Sequence, residues 1–154
     1  METDIHYFTD WWHDIELIKL TSGDFKPINE KQVLKYFNSV ILSSDNINFM
    51  VEVDSQTIGH ISLNKRPHKW LETQIVIGNK KFRGLGYGPK SIMLMINELS
   101  HKGIEKIYLN VRPENIRAIK AYQSVGFKQV GCITETGNPN QPQLIRMELY
   151  LSAK

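Results

Sequence analysis

The sequence predicts a mixed α/β fold in a single domain, residues 1–154, with helices on both faces of one sheet. Three observations lead to this prediction. Two β-rich runs lie close enough to pair as a hairpin, and a strand–helix–strand–helix–strand series follows them. A last run alternates apolar and polar residues, as an antiparallel strand with one drier face should. The length of 154 residues is that of one domain.

The first part of the chain is predicted to be helical. Residues 10–20 repeat apolar side chains at helical spacing, with Thr9 or Asp10 as the capping residue. Residues 31–43 also predict an amphipathic helix, because five apolar side chains fall on one stripe. These side chains are Val33, Leu34, Phe37, Val40 and Ile41.

The strands begin after these helices. Residues 46–54 and 56–64 are the β-rich runs of the predicted hairpin, and residues 70–77 form a further strand. The run GLGYG then leads into Pro89, which suits a first helical turn, and the helix is expected to end at Gly103. The remaining predicted elements are a strand, a helix and two strands, at residues 106–111, 115–125, 128–134 and 144–151.

Composition excludes several classes of protein. With 41% hydrophobic and 23% charged residues, the chain is neither disordered nor collagen-like. Its apolar runs are too short to span a bilayer, and its acidic start is unlike a signal peptide, so we expect a cytoplasmic protein with no membrane partner. Cys132 is the single cysteine, which excludes an internal disulfide or a cysteine metal cluster. We expect it to be a small buried hydrophobic residue and expect no metal site.

The net charge of +3 hides an asymmetry between the two halves of the chain. Residues 1–77 hold 7 Lys and Arg against 11 Asp and Glu, a charge of −4. Residues 78–154 hold 12 against 5, a charge of +7. This division suggests that the chain binds two kinds of charge, although chance scatter of surface residues would also produce it.

The glycine-rich stretch predicts an anion site. Gly84, Gly86 and Gly88 let a ligand approach the backbone, and the free N–H groups at a helix N-terminus attract phosphate. Four basic residues lie close to these glycines in the sequence and strengthen the positive field there: Lys80, Lys81, Arg83 and Lys90. Taken alone, the same glycines also fit an ordinary tight turn.

Two well-known phosphate motifs fit this stretch poorly. A mononucleotide loop needs Gly-x-x-x-x-Gly-Lys-Ser/Thr, and that spacing is absent from the sequence. A dinucleotide fingerprint needs Gly-x-Gly-x-x-Gly. Here the third glycine, Gly88, comes one position early, and Pro89 stands where the fingerprint needs glycine.

A second motif follows the 106–111 strand, and together the two resemble the GNAT superfamily of acetyl-CoA-dependent N-acetyltransferases. The family pattern Arg/Gln-x-x-Gly-x-Gly/Ala is matched by Arg83, Gly86 and Gly88. The pattern Asn-x-x-Ala-x-x-x-Tyr-x-x-x-Gly-Phe is matched at every position, by Asn115, Ala118, Tyr122, Gly126 and Phe127.

The resemblance extends over roughly residues 10–130. Its strongest likeness is to the branch of ribosomal-protein α-amino, spermidine and aminoglycoside 6′-N-acetyltransferases, at DWWHDIELIKL, TIGHISL and LETQIVIGNKKFRGLGYG. The chain departs from the family in one respect, because the family's first strand is barely represented before Thr9. The resemblance implies a mostly antiparallel sheet in which one central parallel pair of strands splays apart.

The resemblance also implies a donor site for acetyl-CoA in that gap. Backbone groups of Ile75 and Ile77 would pair with pantetheine, and Asn115 would anchor its arm, although Asn115 also suits a helix N-cap. The diphosphate would lie on the turn formed by Arg83, Gly84, Leu85, Gly86, Tyr87 and Gly88.

The reaction implied is direct attack of a primary amine on the thioester in a ternary complex, without an acyl-cysteine. Tyr122 would donate its hydroxyl proton to the departing sulfur, and its alternative role is a packed helical aromatic residue. Glu72 would accept the amine proton, and its alternative is a solvated residue at a strand end. His13, His60 and His68 are other candidates for the base.

An acidic groove is expected for the amine, because six carboxylates fall in or near the segments that build the acceptor side in this family: Asp10, Asp14, Glu16, Asp24, Glu30 and Glu72. Trp11, Trp12 and Trp70 could add cation–π contacts. The acceptor would be a polyamine, an aminoglycoside or a protein N-terminus.

Two other functions compete with this hypothesis. A catalytically inactive acyl-CoA sensor would keep the fold and lose the reaction. A basic module that binds nucleic acid is suggested by the pI of about 8.9, but no nucleic-acid motif is present in the sequence. We therefore expect no nucleic-acid partner. A homodimer is common in the family.

Overall fold

A computed structural model describes residues 4–21, 29–134 and 143–151. Five α-helices and six strands follow one another in this part of the chain, with short 3-10 helices at Pro67–Lys69 and Lys80–Phe82. They are α1 (Ile5–Trp12), α2 (Ile15–Thr21), α3 (Glu30–Tyr36, continued by a π-helical turn at Phe37–Ile41), β1 (Ile47–Val53), β2 (Gln56–Lys65), β3 (Leu71–Ile77), α4 (Tyr87–His101), β4 (Lys106–Val111), α5 (Ile116–Ser124), β5 (Lys128–Thr134) and β6 (Gln143–Tyr150). Among these helices, none combines the length and the hydropathy needed to cross a membrane.

The six strands form one sheet in the order β1-β2-β3-β4-β6-β5. Every neighbouring pair is antiparallel except β3 and β4, which are parallel. Their pairing covers only Leu71 with Ile107 and Glu72 with Tyr108. Beyond Glu72 the two strands separate and leave a gap in the middle of the sheet. The predicted mixed sheet with a splayed parallel pair is therefore confirmed.

Apolar side chains pack on both faces of this sheet. Ile61 and Leu63 of β2 belong to a core that α4 and α5 cover. His60, which points to the opposite face because side chains alternate along a strand, contacts Phe8 of α1. There a second cluster joins α1 to α3. Helices thus lie on both faces, as the sequence predicts.

One predicted helix, residues 10–20, is two helices in the structure. The break falls at His13 and Asp14, where the Asp14 carboxylate accepts backbone N–H bonds from Glu16 (3.0 Å) and Leu17 (3.3 Å). Aspartate favours this capping role over a helix interior. The apolar spacing continues across the break, so periodicity alone could not reveal it.

The prediction that Cys132 is buried is wrong. Cys132 is exposed on β5, and the other residues of that strand are exposed too. β5 is the last strand in the sheet order and pairs on one side with β6. An apolar pattern in sequence does not reveal which strand lies at the edge of a sheet.

Candidate active site

A cavity of about 740 Å³ opens where β3 and β4 separate. It reaches from the glycine turn before α4, along residues 73–77 of β3, to side chains of α1 and α3. The gap therefore connects two regions that the sequence predicts to have different roles. One end has the form of an anion site, and the other is lined by aromatic and amide side chains.

The glycine turn has the backbone geometry of an anion site. Gly86 precedes α4 with φ of +83°, and Gly84 has φ of +77°, a region that favours glycine. A Cβ at either position, or at Gly88, would meet no other atom within 4 Å. The first N–H groups of α4 have no acceptor inside the helix. These features fit the diphosphate that the sequence predicts here.

Arg83 has a different environment from the rest of the turn. Its side chain is 6% exposed and forms an ion pair of 2.8 Å with Asp14. Its Nε and Nη2 donate to the carbonyl oxygens of Ile77 (2.8 Å) and Gly78 (2.5 Å). The guanidinium therefore ties the end of β3 to the start of α2. Direct contact between Arg83 and a diphosphate stays a prediction.

Asp14, which the sequence places in the expected acidic groove, has a structural role instead. Partial burial disfavours its charge, but the hydrogen bond from Arg83, together with N–H bonds from Leu17 and Glu16, outweighs burial and lowers the pKa of Asp14. The carboxylate is thus ionised at neutral pH and holds Arg83. An aspartate placed just before a helical apolar pattern is the signal that could have revealed the cap.

A close contact between Gly78 and α1 reinforces this connection. A Cβ on Gly78 would overlap the indole ring of Trp11, so only glycine lets that ring lie on the end of β3. Trp11 is buried in the cluster that joins α1 to α3. The end of β3 is therefore fixed on the α1 side by packing and on the turn side by Arg83.

The predicted pantetheine residues lie along the cavity. Ile75 and Ile77 are partly buried on β3, beyond the point at which β4 stops pairing with it. Asn115 is the N-cap of α5, since its side chain accepts from the N–H of Ala118 (3.2 Å) and its amide donates to the Leu20 carbonyl (3.4 Å). The capping role is confirmed, and contact with pantetheine stays a prediction.

Tyr122 lines the cavity from α5. Its ring packs at 5.8 Å from the ring of Phe127. Burial raises the pKa of Tyr122 to about 12, so the phenol keeps its proton at neutral pH. A protonated hydroxyl is what a proton donor to a thiolate needs.

Glu72 is the last residue of β3 that pairs with β4, and its side chain is 18% exposed. Oε2 accepts from Arg66 Nε (2.8 Å) and Nη2 (2.5 Å), while Oε1 accepts from the amide of Asn110 (3.2 Å). It is therefore not a freely solvated strand-end residue. Oε1 is the oxygen that keeps capacity for another proton donor.

The three histidines differ in their surroundings. His60 is 3% exposed, its Nε2 lies 3.1 Å from Asn48 Oδ1, and burial lowers its pKa to about 4. His13 is exposed and bonds to the Thr9 carbonyl, and His68 is exposed in a turn. Of the three, only His60 is among the residues that line the cavity.

The expected acidic groove is not what the described residues form. Asp14 pairs with Arg83, and Glu16 pairs with Lys80 at 3.1 Å. Glu72 is the single carboxylate among the cavity residues within the described part of the chain. Asp10 and Glu30 are exposed outside this cavity, and Asp24 lies outside the described residues. Ion pairing could not be predicted because it joins residues distant in sequence.

Uncharged polar groups line the acceptor end instead. The rings of Trp12 and Tyr36 meet edge to face at 5.6 Å, and the Tyr36 hydroxyl donates to Gln74 Oε1 (3.2 Å). Two buried polar atoms at this end have no hydrogen-bond partner among the described residues, Trp12 Nε1 and Asn110 Oδ1. Sequence reasoning missed Tyr36, Gln74 and Asn110, whose residue types alone carry no signal.

Comparison with known proteins gives matches in sequence and in structure. A [Ribosomal protein bS18]-alanine N-acetyltransferase of Haemophilus ducreyi is 43% identical over 49 residues. This alignment spans 32% of the chain and 34% of the relative, so it covers about a third of each.

Solved structures match over nearly the whole chain. One is a spermidine N-acetyltransferase from Vibrio cholerae, solved with CoA and spermine, which has a TM-score of 0.81 at 21% identity. The alignment covers 99% of this chain and 93% of the Vibrio cholerae chain. The aminoglycoside acetyltransferase AAC(6')-Ib in complex with coenzyme A has a TM-score of 0.81 at 17% identity. That alignment covers 97% of this chain and 91% of the acetyltransferase. At these identities the likeness shows a shared fold.

The family model described as "Acetyltransferase (GNAT) family" matches residues 7–127. That range contains the glycine turn, the splayed strands and Tyr122. The resemblance found in the sequence is thereby confirmed, and the chain belongs to the GNAT family of acetyltransferases.

Proposed function

We propose that this protein transfers an acetyl group from acetyl-CoA to a primary amine. One observation carries the proposal: a single cavity joins the glycine turn to Glu72 through the gap between β3 and β4. A thioester and an amine can therefore meet inside the sheet. Family membership and the CoA complexes of the two similar structures support acetyl-CoA as the donor.

The donor would lie along the splayed strand. Backbone N–H groups at residues 84–88 would bind the diphosphate, and Arg117 and Lys120, which line the cavity from α5, would add positive charge. Backbone groups of Ile75 and Ile77 would orient the pantetheine arm beside Asn115. Fixing both reactants in one orientation lowers the entropic part of the barrier.

The amine must lose a proton in order to attack. For a lysine-like amine with pKa of about 10.4, deprotonation at pH 7 costs about 4–5 kcal/mol. Glu72 would take this proton on Oε1, directly or through a water, while Arg66 holds Oε2. Tyr122 would give its hydroxyl proton to the leaving sulfur, which releases CoA as a thiol. The phenolate would recover a proton from the attacking nitrogen, through a water, as that nitrogen loses its second proton to become the amide.

The acceptor is a primary amine of one of three kinds: a small cationic amine, an aminoglycoside or a protein N-terminus. The relatives described above act on or bind members of each kind. The alternative of an inactive acyl-CoA sensor would bind the donor without turnover. A homodimer and a cytoplasmic location stay predictions.

Replacing Tyr122 by Phe tests the mechanism. We expect kcat to fall about 10- to 100-fold while acetyl-CoA affinity is kept, because the phenol acts on the leaving group. Thiol release with a panel of amines measures kcat, and calorimetry measures binding. Tyr150→Phe, an exposed tyrosine outside the cavity, is the matched control. An unchanged rate in Tyr122→Phe would remove this residue from the mechanism, and donor binding without turnover of any amine would favour the sensor.

A further inference from the structure

We propose that the acceptor is the α-amino group of a peptide N-terminus, and that Trp12, Gln74 and Asn110 recognise it beside Glu72. This inference rests on the proposed function and narrows its substrate to one class. It is carried by the polar atoms at the acceptor end of the cavity and by the charges around them.

Two buried atoms at this end lack a partner in the described part of the chain. They are the indole Nε1 of Trp12, a donor, and the Oδ1 of Asn110, an acceptor. A buried polar group without a partner is destabilising, so each is expected to pair with a ligand atom. Gln74 adds a donor, because its Oε1 already accepts from Tyr36 and its amide NH₂ remains for another acceptor.

These groups form a continuous row. Trp12 contacts Tyr36, and Tyr36 bonds to Gln74. Gln74 and Glu72 lie two residues apart on one face of β3, about 6–7 Å along the strand. Glu72 Oε1 in turn accepts from Asn110. The row therefore has donors at the Trp12 end and acceptors at the Asn110 end.

The first residue of a peptide presents the complementary pattern. Its α-amine donates, and its carbonyl oxygen, two bonded carbons away, accepts. The amine would point to Glu72 Oε1 and Asn110 Oδ1, and the carbonyl to Gln74 and Trp12. An amine without a neighbouring carbonyl would leave the buried Trp12 donor unpaired, and such a loss discriminates between substrates, whereas the exposed Gln74 amide would bond to water instead.

Charge argues against a polycation in this cavity. Within the described lining, Glu72 is the carboxylate, and Arg66 already neutralises it. The same lining carries four cationic side chains, Arg83, Arg112, Arg117 and Lys120; Arg83 is paired with Asp14, and Arg117 and Lys120 are assigned above to the diphosphate. A polyamine or an aminoglycoside brings several ammonium groups, and the described lining offers them no further carboxylate. A peptide N-terminus brings a single ammonium group.

Proton transfer favours the same class. An α-amine has a pKa of about 7.7–8.0, against about 10.4 for a lysine-like amine. A substantial fraction is therefore neutral near pH 7.5 without help from the protein. Glu72 already accepts three N–H bonds, from Arg66 and Asn110. An easily deprotonated amine suits a carboxylate whose capacity is largely used.

Substrate preference is the first test. We expect kcat/KM at pH 7.5 for an Ala-Gly-Gly tripeptide amide to exceed that for spermidine or kanamycin by about tenfold or more. Isopropylamine, a branched amine without a carbonyl, should also be a poorer acceptor than the tripeptide. A preference for spermidine or kanamycin would overturn the inference and leave the proposed function in place. No turnover of any of the four amines would overturn both.

Two variants test the assigned donors. Trp12→Phe keeps an aromatic ring but removes the indole N–H. Gln74→Met keeps the length of the side chain but removes its amide group. Each should lower kcat/KM for the tripeptide about 5- to 30-fold, the equivalent of one hydrogen bond, and lower it much less for isopropylamine. Trp70→Phe, on a tryptophan outside the cavity, is the matched control. Equal losses on both amines in both variants, with the acetyl-CoA KM unchanged, would contradict these assignments.

Discussion

Arg83 and Asp14 form an ion pair between the glycine turn before α4 and the start of α2, which are far apart in the sequence. The family motif implies a diphosphate role for Arg83, yet its guanidinium binds Asp14 and two carbonyl oxygens at the end of β3. The same aspartate caps α2. Together the two side chains set the position of the glycine turn relative to the helices that cover the acceptor end.

Asp14→Asn should destabilise the fold by about 1–3 kcal/mol at neutral pH, because it removes the charge that pairs with buried Arg83 while an amide can still cap α2. The pKa of Asp14 is lowered in the folded state. The stabilisation is therefore complete above the unfolded pKa of about 3.9 and is lost as pH falls through the lower folded value. Urea unfolding of both proteins from pH 7 to pH 3 measures this. A difference that does not shrink in acid would contradict the assignment.

At the scale of elements, the turn before α4 illustrates two different needs for glycine. Gly86 has a positive φ at the N-cap, so any side chain there is strained. Gly88 lies within α4 with ordinary helical backbone, and open space surrounds the position of a Cβ. Nothing in the folding of the helix requires glycine at position 88. A diphosphate bound against the backbone, as proposed above, would require it.

Gly88→Ala should separate stability from binding. Alanine is the better helix former by about 0.8–1.0 kcal/mol, so the variant should be as stable as the parent or more so. Its affinity for acetyl-CoA should nevertheless fall, because the methyl group occupies space that the diphosphate needs.

Calorimetric titration measures the affinity for acetyl-CoA, and thermal unfolding of the same samples measures stability. Gly86→Ala is the paired variant, and it should lose both stability and affinity. Undiminished affinity in Gly88→Ala would place the diphosphate elsewhere.

For the whole molecule, the charge asymmetry between the two halves agrees with the expected basic donor side but not with the expected acidic acceptor groove. The basic half does contain the glycine turn and the two cations of α5 that line the cavity, Arg117 and Lys120. The acidic half does not form an acidic groove among the described residues, since Asp14 and Glu16 pair with Arg83 and Lys80 from the basic half. Two of these carboxylates therefore join the two halves to each other.

Acetyl-CoA should stabilise the folded protein, since a ligand that binds only the native state raises its free energy of unfolding. At 100 times Kd the gain is about 2.7 kcal/mol. The rise in Tm should diminish with added salt, because charged groups bind the diphosphate. An oligonucleotide at the same concentration is the control. Stabilisation by the oligonucleotide and none by acetyl-CoA would favour the basic nucleic-acid module instead.

The sequence by itself predicted the architecture and the donor end of the site, and the structure confirms the architecture. Helical and strand periodicity and turn glycines are local signals that predicted the elements, and the resemblance carried by the two spaced motifs implied the splayed sheet and the roles of Gly86, Asn115 and Tyr122. Tertiary structure alone decided the ion pairs of Asp14 and Glu72, the edge position of Cys132 and the amide-lined acceptor end. The pair of Arg66 and Glu72 is only six positions apart and depends on the turn between β2 and β3. Several of the other features depend on contacts between residues far apart in the chain, such as Tyr36 with Gln74 and Glu72 with Asn110, each 38 positions apart. No local pattern specifies such pairs, because the folded sheet brings them together.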